Sequence, residues 1–448
     1  MERKNFYKTF FSIYIVLVLQ QVISLSVNLA DNVMLGAYSE TALSGVAAVN
    51  QIQFVFHQLV TALGEGIVIF GSQYWGKKQL GPMKKISAFA IRMAVLISVL
   101  LLMLASLFPT QLMMIFTTDE AIITQGTEYL SIIRFTYLLY ALTTVLLAML
   151  RSVEVVRIAF YLSLSTLVIN CGINYVLIYG RFGAPELGVR GAAIGTLTAR
   201  FVELMIVAFY IWKKDQKLQI QFHDFLETER TLNKDYIKVT IPILLIQGLW
   251  GANTAMQTVI LGHMTANAIA ANSVASNLYM LMKSTAIGAA SCASILIGKA
   301  IGMGDMKMVD LYSKRLQKMF VLIGVAAGIV LFFIRIPVLN LYELSAETRM
   351  MADTFLKILC VVIVFMSYQM ATNTGIVRGG GSSHFVMKVD IISIWGIVIP
   401  LSLFMAFVVE VSPIVVVCCL NADQVFKCVP AFLKVNYGHW AKSLTRSL

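Results

Sequence analysis

Twelve times along this chain an apolar run long enough to cross a bilayer gives way to a short polar turn. The runs fall at about 11–35, 46–75, 86–108, 121–150, 157–179, 188–212, 236–262, 268–298, 316–336, 348–377, 385–409 and 412–433. A span of the hydrocarbon core needs roughly 20 mainly apolar residues. In lipid each backbone polar group must be satisfied internally, so every run is expected as a helix. The fold class that follows is an all-α polytopic membrane protein with twelve transmembrane helices. Composition agrees, since 13% of the residues are charged where a soluble domain carries roughly 25%.

The formal charge of +12 could be a nucleic-acid footprint, so the placement of the basic residues decides its meaning. With a cytoplasmic N-terminus, the inner segments collect Arg3, Lys4, Lys8, Lys77, Lys78, Lys84, Lys85, Arg151, Arg157 and the cluster from Lys213 to Lys238. They also take Lys299, Lys307, Lys314, Arg315, Lys318, Arg378, Lys388, Lys427, Lys434, Lys442 and Arg446, which leaves Arg181, Arg190, Arg335, Arg349 and Lys357 outside. That bias sets both termini in the cytoplasm and excludes nucleic acid as partner, with lipids taking its place. The apolar segment after the basic flank MERKNFYKTF is too long for a signal-peptide core, so the first helix is expected to stay.

The six cysteines lie mostly in apolar runs without metal-ligand spacing and read as packing residues; no cofactor or resident metal is expected. GSQYWGKK (Gly71 to Lys78) approaches a phosphate-binding loop but ends in Lys78 and follows an apolar helix instead of a strand. With no nucleophile paired to a base either, an enzyme is not expected.

A shift of 226 positions lays NVMLGAYSETALSGVA (Asn32 to Ala47) over TVILGHMTANAIAANS (Thr258 to Ser273) and superposes Gly36 on Gly262, Gly76 on Gly302 and Leu130 on Leu356. Two six-helix halves, 1–225 and 226–448, are therefore expected as a parallel repeat, joined by a cytoplasmic linker at 213–238. Transporters place substrate and ion sites in or between such repeats. The same shift sets Asp31 over Gln257, so the repeat breaks at an acid. A carboxylate at mid-span costs roughly 2.5–3.5 kcal/mol on insertion scales and needs a reason.

ADNVMLG (Ala30 to Gly36), SQYWGKK (Ser72 to Lys78), NCGINYVLIYGRFGAPELGVRGAAIGT (Asn170 to Thr196), VILGHMTANAIAANSVA (Val259 to Ala275), IGKAIGMGD (Ile297 to Asp305) and GIVRGGGSS (Gly375 to Ser383) together resemble the multidrug and toxin extrusion (MATE) family of antiporters. The resemblance implies a V of two pseudo-symmetric six-helix lobes around an alternately opening cavity. It implies a monomer in a bacterial inner membrane that exports amphipathic, often cationic, small molecules against inward H⁺ or Na⁺ flow. It implies the coupling acid at Asp31. In the family's DinF-like branch, to which the sequence is closer, a second acid four residues after the Asn of the motif completes the site; that position is Asn174, with Asn170 and Thr196 as further polar members. In the NorM-like branch, acids in the seventh and tenth helices carry coupling, but the positions near Trp250 and Ser367 are not acidic. Asp31 is left as the one expected coupling acid.

The residues themselves support a site at Asp31. Asn28 is three residues earlier on the same helical face and could share its hydrogen bonds. Burial disfavours the charged carboxylate and a bound cation favours it, so one group can exchange a proton, or Na⁺ held by the same oxygens, for a cationic substrate. His57 and Glu65 in the second span and Lys283 in the eighth are ionisable at membrane depth, and Glu65 with Lys283 is expected as a pair that closes the cytoplasmic side. Arg200 and Glu203 are spaced as a local pair. GAAIG (Gly191 to Gly195) and GVAAG (Gly324 to Gly328) have helix-packing spacing. Asp390 is expected to reach toward headgroups, and Tyr137, Trp250, Met256 and Gln257 are candidate liners of a promiscuous cavity. Two other readings stay open: a lipid-linked saccharide flippase, which would need several deep cations for a pyrophosphate, and a channel or sensor without coupled transport.

Overall fold

The repeat seen in the residues governs where helices begin. In the computed structural model, which describes residues 2–225, 227–340, 342 and 344–446, the first half runs α1 (Glu2–Tyr38), α2 (Glu40–Gly76), α3 (Leu80–Leu107), the short α4 (Pro109–Met114), α5 (Glu120–Ile133), α6 (Thr136–Ser152), α7 (Arg157–Ile178) and α8 (Val189–Lys213). The second half runs α9 (Arg230–Gly262), α10 (Ala266–Gly302), α11 (Met306–Leu339), α12 (Ala346–Met370), α13 (Ser383–Asp390), α14 (Ile399–Phe407), α15 (Pro413–Leu420), α16 (Ala422–Phe426) and α17 (Cys428–Tyr437). The starts of α2, α3, α5 and α7 recur 226 residues on as those of α10, α11, α12 and α13. Capping repeats as well. Thr265 Oγ1 accepts from Ala268 N at 3.1 Å where Ser39 Oγ accepts from Ala42 N at 3.4 Å, and Ser345 caps α12 where Asp119 caps α5. Each cap satisfies an amide that the first helical turn would leave without a partner.

Among the described residues eleven helices are long and apolar enough to cross a membrane, and α5 with α6 makes a twelfth, bent by 52°. The sequence reads 121–150 as one span; the structure breaks it at Arg134 and Phe135, whose guanidinium and ring stack 5.1 Å apart. The second half departs from regular helix elsewhere. A π-helical turn, Ala371–Val377, continues α12, and another, Ile391–Val398, joins α13 to α14 just ahead of Pro400. Proline has no N–H for the i→i−4 ladder, and π turns of this kind gather at functional sites.

Two compact units divide the chain, one of Leu19–Gly71 with Gln79–Ile237 and the other of Met1–Val18, Ser72–Lys78 and Lys238–Leu448. The boundary therefore differs from the expected halves at 225 and 226, and residues 1, 226, 341, 343, 447 and 448 of those halves lie outside the described residues. The second unit claims two early segments because of what they touch. Phe6 meets Tyr312 with ring centroids 4.8 Å apart, the Cys292 thiol donates to Phe10 O at 3.6 Å, and Gly302 packs so tightly on the Gln73 backbone that a Cβ there would collide. The expected linker is equally asymmetric. Lys84 Nζ donates to Gln219 O at 2.9 Å, Arg92 to Glu227 O at 3.0 Å and Lys217 Nζ to Val153 O at 2.7 Å, which ties 217–227 onto the first unit.

Both small-residue motifs pack helices within their own unit. A Cβ on Gly191 would lie 2.7 Å from the Leu177 carbonyl carbon, and one on Gly328 would lie 2.6 Å from Cys360 O. So close an approach of α8 to α7, and of α12 to α11, is what glycine permits.

Candidate functional site

In the first unit the site is built by a hairpin. Gly180 and Gly188 take positive φ values of 62° and 51°, Leu187 N donates to Leu177 O at 2.8 Å, and α8 folds back along α7. Tyr179 at the end of α7 donates its hydroxyl to Met34 O at 2.7 Å, which holds α1 beside the hairpin. Asp31 is thereby set against the α7 amides. Asn174 Nδ2 donates to Asp31 Oδ1 at 2.6 Å and lies 3.2 Å from Asn170 Oδ1, and Asn170 Nδ2 donates to Thr196 Oγ1 at 3.1 Å. Asn170 and Asn174 are 1% and 0% exposed, so their amides are committed to this chain of bonds and not to water. Asn174 Oδ1 is buried and has no hydrogen-bond partner among the described residues, and a Cβ on Gly195 would come within 2.1 Å of it. The last glycine of GAAIG is the space in which the Asn174 amide sits.

Four of the five expected members of this site are thus one network: Asp31, Asn174, Asn170 and Thr196. Asn28 is not part of it. It is exposed, and no hydrogen bond joins it to Asp31 among the described residues. Tyr129 on α5, which sequence reasoning missed, brings its hydroxyl to Thr196 at the edge of this network. No sequence signal marks it beyond an aromatic hydroxyl within an apolar run.

One turn further along α8, Arg200 lies within electrostatic range of Asp31. Its guanidinium is nevertheless committed elsewhere, 2.8 Å from Glu203 Oε2 and 5.0 Å from the centre of the Tyr140 ring, while Thr166 on α7 donates to the other Glu203 oxygen. The expected local pair therefore forms. His57 stacks on Tyr140 at 3.8 Å, and Phe56 fills the corner between Tyr140 and Tyr137. Tyr137 is 0% exposed, which corrects its reading as a cavity liner: it belongs to the packed interior. Glu65 takes Arg151 Nη2 at 2.9 Å across α2 and α6.

The second unit carries a cluster of a different kind. Lys427 Nζ sits 2.7 Å from Asp390 Oδ1 and 2.9 Å from Asp423 Oδ2, with its side chain 4% exposed. Gln424 Nε2 donates to Asp423 Oδ2 at 2.8 Å, Gln369 Nε2 to Gln424 Oε1 at 2.7 Å and Asn373 Nδ2 to Gln369 Oε1 at 3.3 Å. The irregular turns make this possible. Asp390 ends α13 where the π turn begins, Asn373 lies inside the other π turn, and Lys427 stands between α16 and α17. Asp390 does not reach for headgroups, because it and Lys427 each supply the other's counter-charge. The i,i+4 spacing of Asp423 and Lys427 was the available sequence signal.

Lys283 on α10 rests its ammonium 4.6 Å above the Trp250 ring of α9, in the same unit. Met256 packs on the apolar core of that unit, and Gln257 is half-buried on α9. The expected partners Glu65 and Lys283 thus engage Arg151 and Trp250 respectively. No group of three or more metal-ligating side chains occurs among the described residues.

Comparison with known proteins agrees with this architecture. The chain is 24% identical over 423 residues, 94% of its length and 90% of the relative's, to a probable multidrug resistance protein NorM of Thermotoga maritima. It is 26% identical to a protein of the same description in Streptococcus pneumoniae, over 88% of this chain and 86% of that one. In fold it matches a multidrug resistance MATE family transporter of the MOP superfamily in an outward-facing conformation, with a TM-score of 0.88 over 96% of this chain and 94% of that one at 18% identity. The MatE family profile matches residues 17–176 and 234–404, most of both halves. The chain is therefore a multi-pass membrane protein that belongs to the MatE family of transporters, and not an enzyme.

Proposed function

We propose that this chain is a secondary antiporter that exports amphipathic, cationic small molecules by alternating access, driven by inward proton flow through Asp31. It works as a monomer in a bacterial inner membrane, with both termini cytoplasmic as the positive-inside bias requires. The observation that carries this reading is the 2.6 Å bond from Asn174 Nδ2 to Asp31, with an unpartnered Asn174 Oδ1 on the same amide.

That amide can serve either protonation state. An ionised Asp31 accepts from Nδ2. A protonated Asp31 needs an acceptor, and rotating the amide presents Oδ1, so the proton gains a hydrogen bond at the expense of the one that Nδ2 makes to Asn170 Oδ1. A cationic substrate that draws near favours the ionised form and releases the proton, which is the differential affinity that antiport requires. Coupling confined to α1, α7 and α8 also supports the DinF-like branch, with Asn174 standing where that branch has its second acid. A lipid-linked saccharide flippase would keep deep cations free for a pyrophosphate, whereas Arg151, Arg200 and Lys427 are each held by carboxylates.

The test is export of a fluorescent cationic dye from proteoliposomes under separately imposed H⁺ and Na⁺ gradients, with Asp31→Asn in parallel. Dye should follow the proton gradient and stop following it in the variant. Movement driven by Na⁺ alone would reassign the ion, and movement retained in Asp31→Asn would remove Asp31 from coupling.

A further inference from the structure

Past α17 the chain binds back onto the fold. It leaves helix at Gly438 (φ −101°, ψ 163°) and runs on to Arg446 without regular structure, pinned at two places. The first is the turn between the π-helical Ala371–Val377 and α13, where Ser382 Oγ donates to Trp440 O at 2.8 Å and Lys442 N donates to Gly380 O at 2.8 Å. The second is the end of α2. Gln73 Nε2 donates to Lys442 O at 3.1 Å, Gln73 Oε1 accepts from Leu444 N at 2.8 Å, and Arg446 N donates to Tyr74 Oη at 3.3 Å. One glutamine amide thus brackets Ser443 as the backbone of a parallel neighbouring strand would. Gln73 is 0% exposed, so the tail supplies the partners that its buried amide requires. The glycines of GIVRGGGSS make the seat: a Cβ on Gly380 would come within 2.5 Å of the Trp440 ring, and one on Gly381 within 3.1 Å of Leu444.

The part of α2 that the tail grips is the part that crosses α10. Gly76 and Gly302, related by the 226-residue shift, meet there, and a Cβ on Gly76 would lie 3.0 Å from Gly302 Cα. Ser72 occupies the space that a Cβ on Gly298 would take. Ser72–Lys78 accordingly groups with the second unit, although α2 up to Gly71 belongs to the first. The tail itself is lightly held. Lys442, Ser443 and Arg446 are exposed, and Trp440 is the one buried side chain among residues 439–446. A segment with so little apolar burial opens locally without unfolding the helices beneath it.

We propose that residues 439–446 are a releasable strap, which keeps the cytoplasmic ends of α2 and α10 crossed and must let go before the transporter opens on that side. Its bonds need Gln73 and Gly380 within reach at once, so they favour the crossed arrangement over any in which the end of α2 moves away, and that difference is what shifts the equilibrium. The proposal rests on the alternating-access reading above and adds a control on it.

The test is hydrogen exchange of the purified full chain in nanodiscs against a chain lacking 439–448. Two pairs of segments are read, 72–78 with 296–302 at the crossing, and 40–46 with 270–276 at the opposite ends of the same helices. Loss of the strap should quicken exchange at the first pair by about tenfold or more and leave the second within about twofold. Gln73→Leu in the full chain should act in the same direction to a smaller degree, because it removes two bonds and leaves Trp440 seated, and it decides the question by the same readout if the shortened chain does not fold. Equal acceleration at both pairs would mean that the tail only stabilises the fold, and unchanged exchange at the crossing would mean that it holds nothing there; either overturns the proposal. Dye export keeps the two readings apart. Selective exposure of the crossing in a chain that exports nothing sinks only the antiport reading, and proton-driven export without selective exposure sinks only the strap.

Discussion

In the first unit an acid is left to neutral partners: Asp31 is bonded by the Asn174 amide, while the nearby Arg200 is spent on Glu203. In the second unit the acids are locked, Asp390 and Asp423 on Lys427, and a base is left over, Lys283 on the Trp250 ring. Both units begin their helices at positions 226 residues apart, yet each exposes a charge of opposite sign to change. A charge held by a counter-charge gains little from a proton or a ligand. One held by an amide or a π face is free to answer to them, and the contrast separates structural from functional ionisable groups without reference to depth.

Removing Lys427 should break the comparison most sharply. Lys427→Met leaves the buried Asp423 and the half-buried Asp390 uncompensated, which costs about 3–5 kcal/mol, read as a large fall in thermal unfolding temperature in detergent. Adding Asp390→Asn and Asp423→Asn to Lys427→Met should restore most of the loss. Asp31→Asn is the control from the other unit: transport coupling should vanish while stability moves by less than about 1 kcal/mol. An equal loss of stability in both would mean that Asp31 is as structural as the locked acids.

Gly195→Ala sharpens the first-unit side. Its Cβ would meet Asn174 Oδ1 at 2.1 Å, and overpacking of this kind costs about 1–3 kcal/mol. Proton-driven export should fall with it, because the amide can no longer turn, and Asn174→Ala added to Gly195→Ala should recover stability but not export. A smaller effect is expected at Tyr137, whose buried hydroxyl has no partner among the described residues. Tyr137→Phe removes an unsatisfied polar group, so unfolding should show no loss and a gain of up to about 1 kcal/mol. A clear loss would restore Tyr137 to a polar role.

What the sequence made legible follows the same division. Span number, the repeat and the position of Asp31 were readable because hydrophobic length, a constant offset and a polar residue inside an apolar run are all local signals, whereas Asn170, Asn174 and Thr196 were named through the family resemblance. The partners of Lys427, which the sequence counts among the inner basic residues, were not readable for an equally physical reason: it follows a weakly apolar stretch with Asn421, Asp423 and Gln424, and only the π turns at Ala371–Val377 and Ile391–Val398 reveal which side chains face it. Irregular helix of this kind is set by tertiary contact, and hydropathy does not record it. The Glu65 partner was missed likewise, since Arg151 is 86 residues away on a helix whose bend the sequence did not announce.

The linker offers the mildest test, because its charges are paired at the surface where pairs contribute least. Lys84 Nζ lies 2.8 Å from Asp224 Oδ2, with both side chains 18% exposed. Burial pushes the Asp224 carboxyl up, but the Lys84 hydrogen bond, the Gln221 amide and the charges of Lys84 and His223 outweigh it and hold the group below the usual carboxylate range. A carboxyl depressed on folding contributes stability above its unfolded value of about 3.9 and loses it as pH falls through the lower folded value. The pair should therefore act in full at neutral pH and fade only below about pH 4, with a contribution under about 1 kcal/mol. Hydrogen exchange across 217–227, corrected for intrinsic rate, should quicken in acid for the wild type and already be quick at neutral pH in Lys84→Met. Equal protection in the two proteins at neutral pH would mean that the backbone bonds from Arg92 and Lys217 hold the linker without the ion pair.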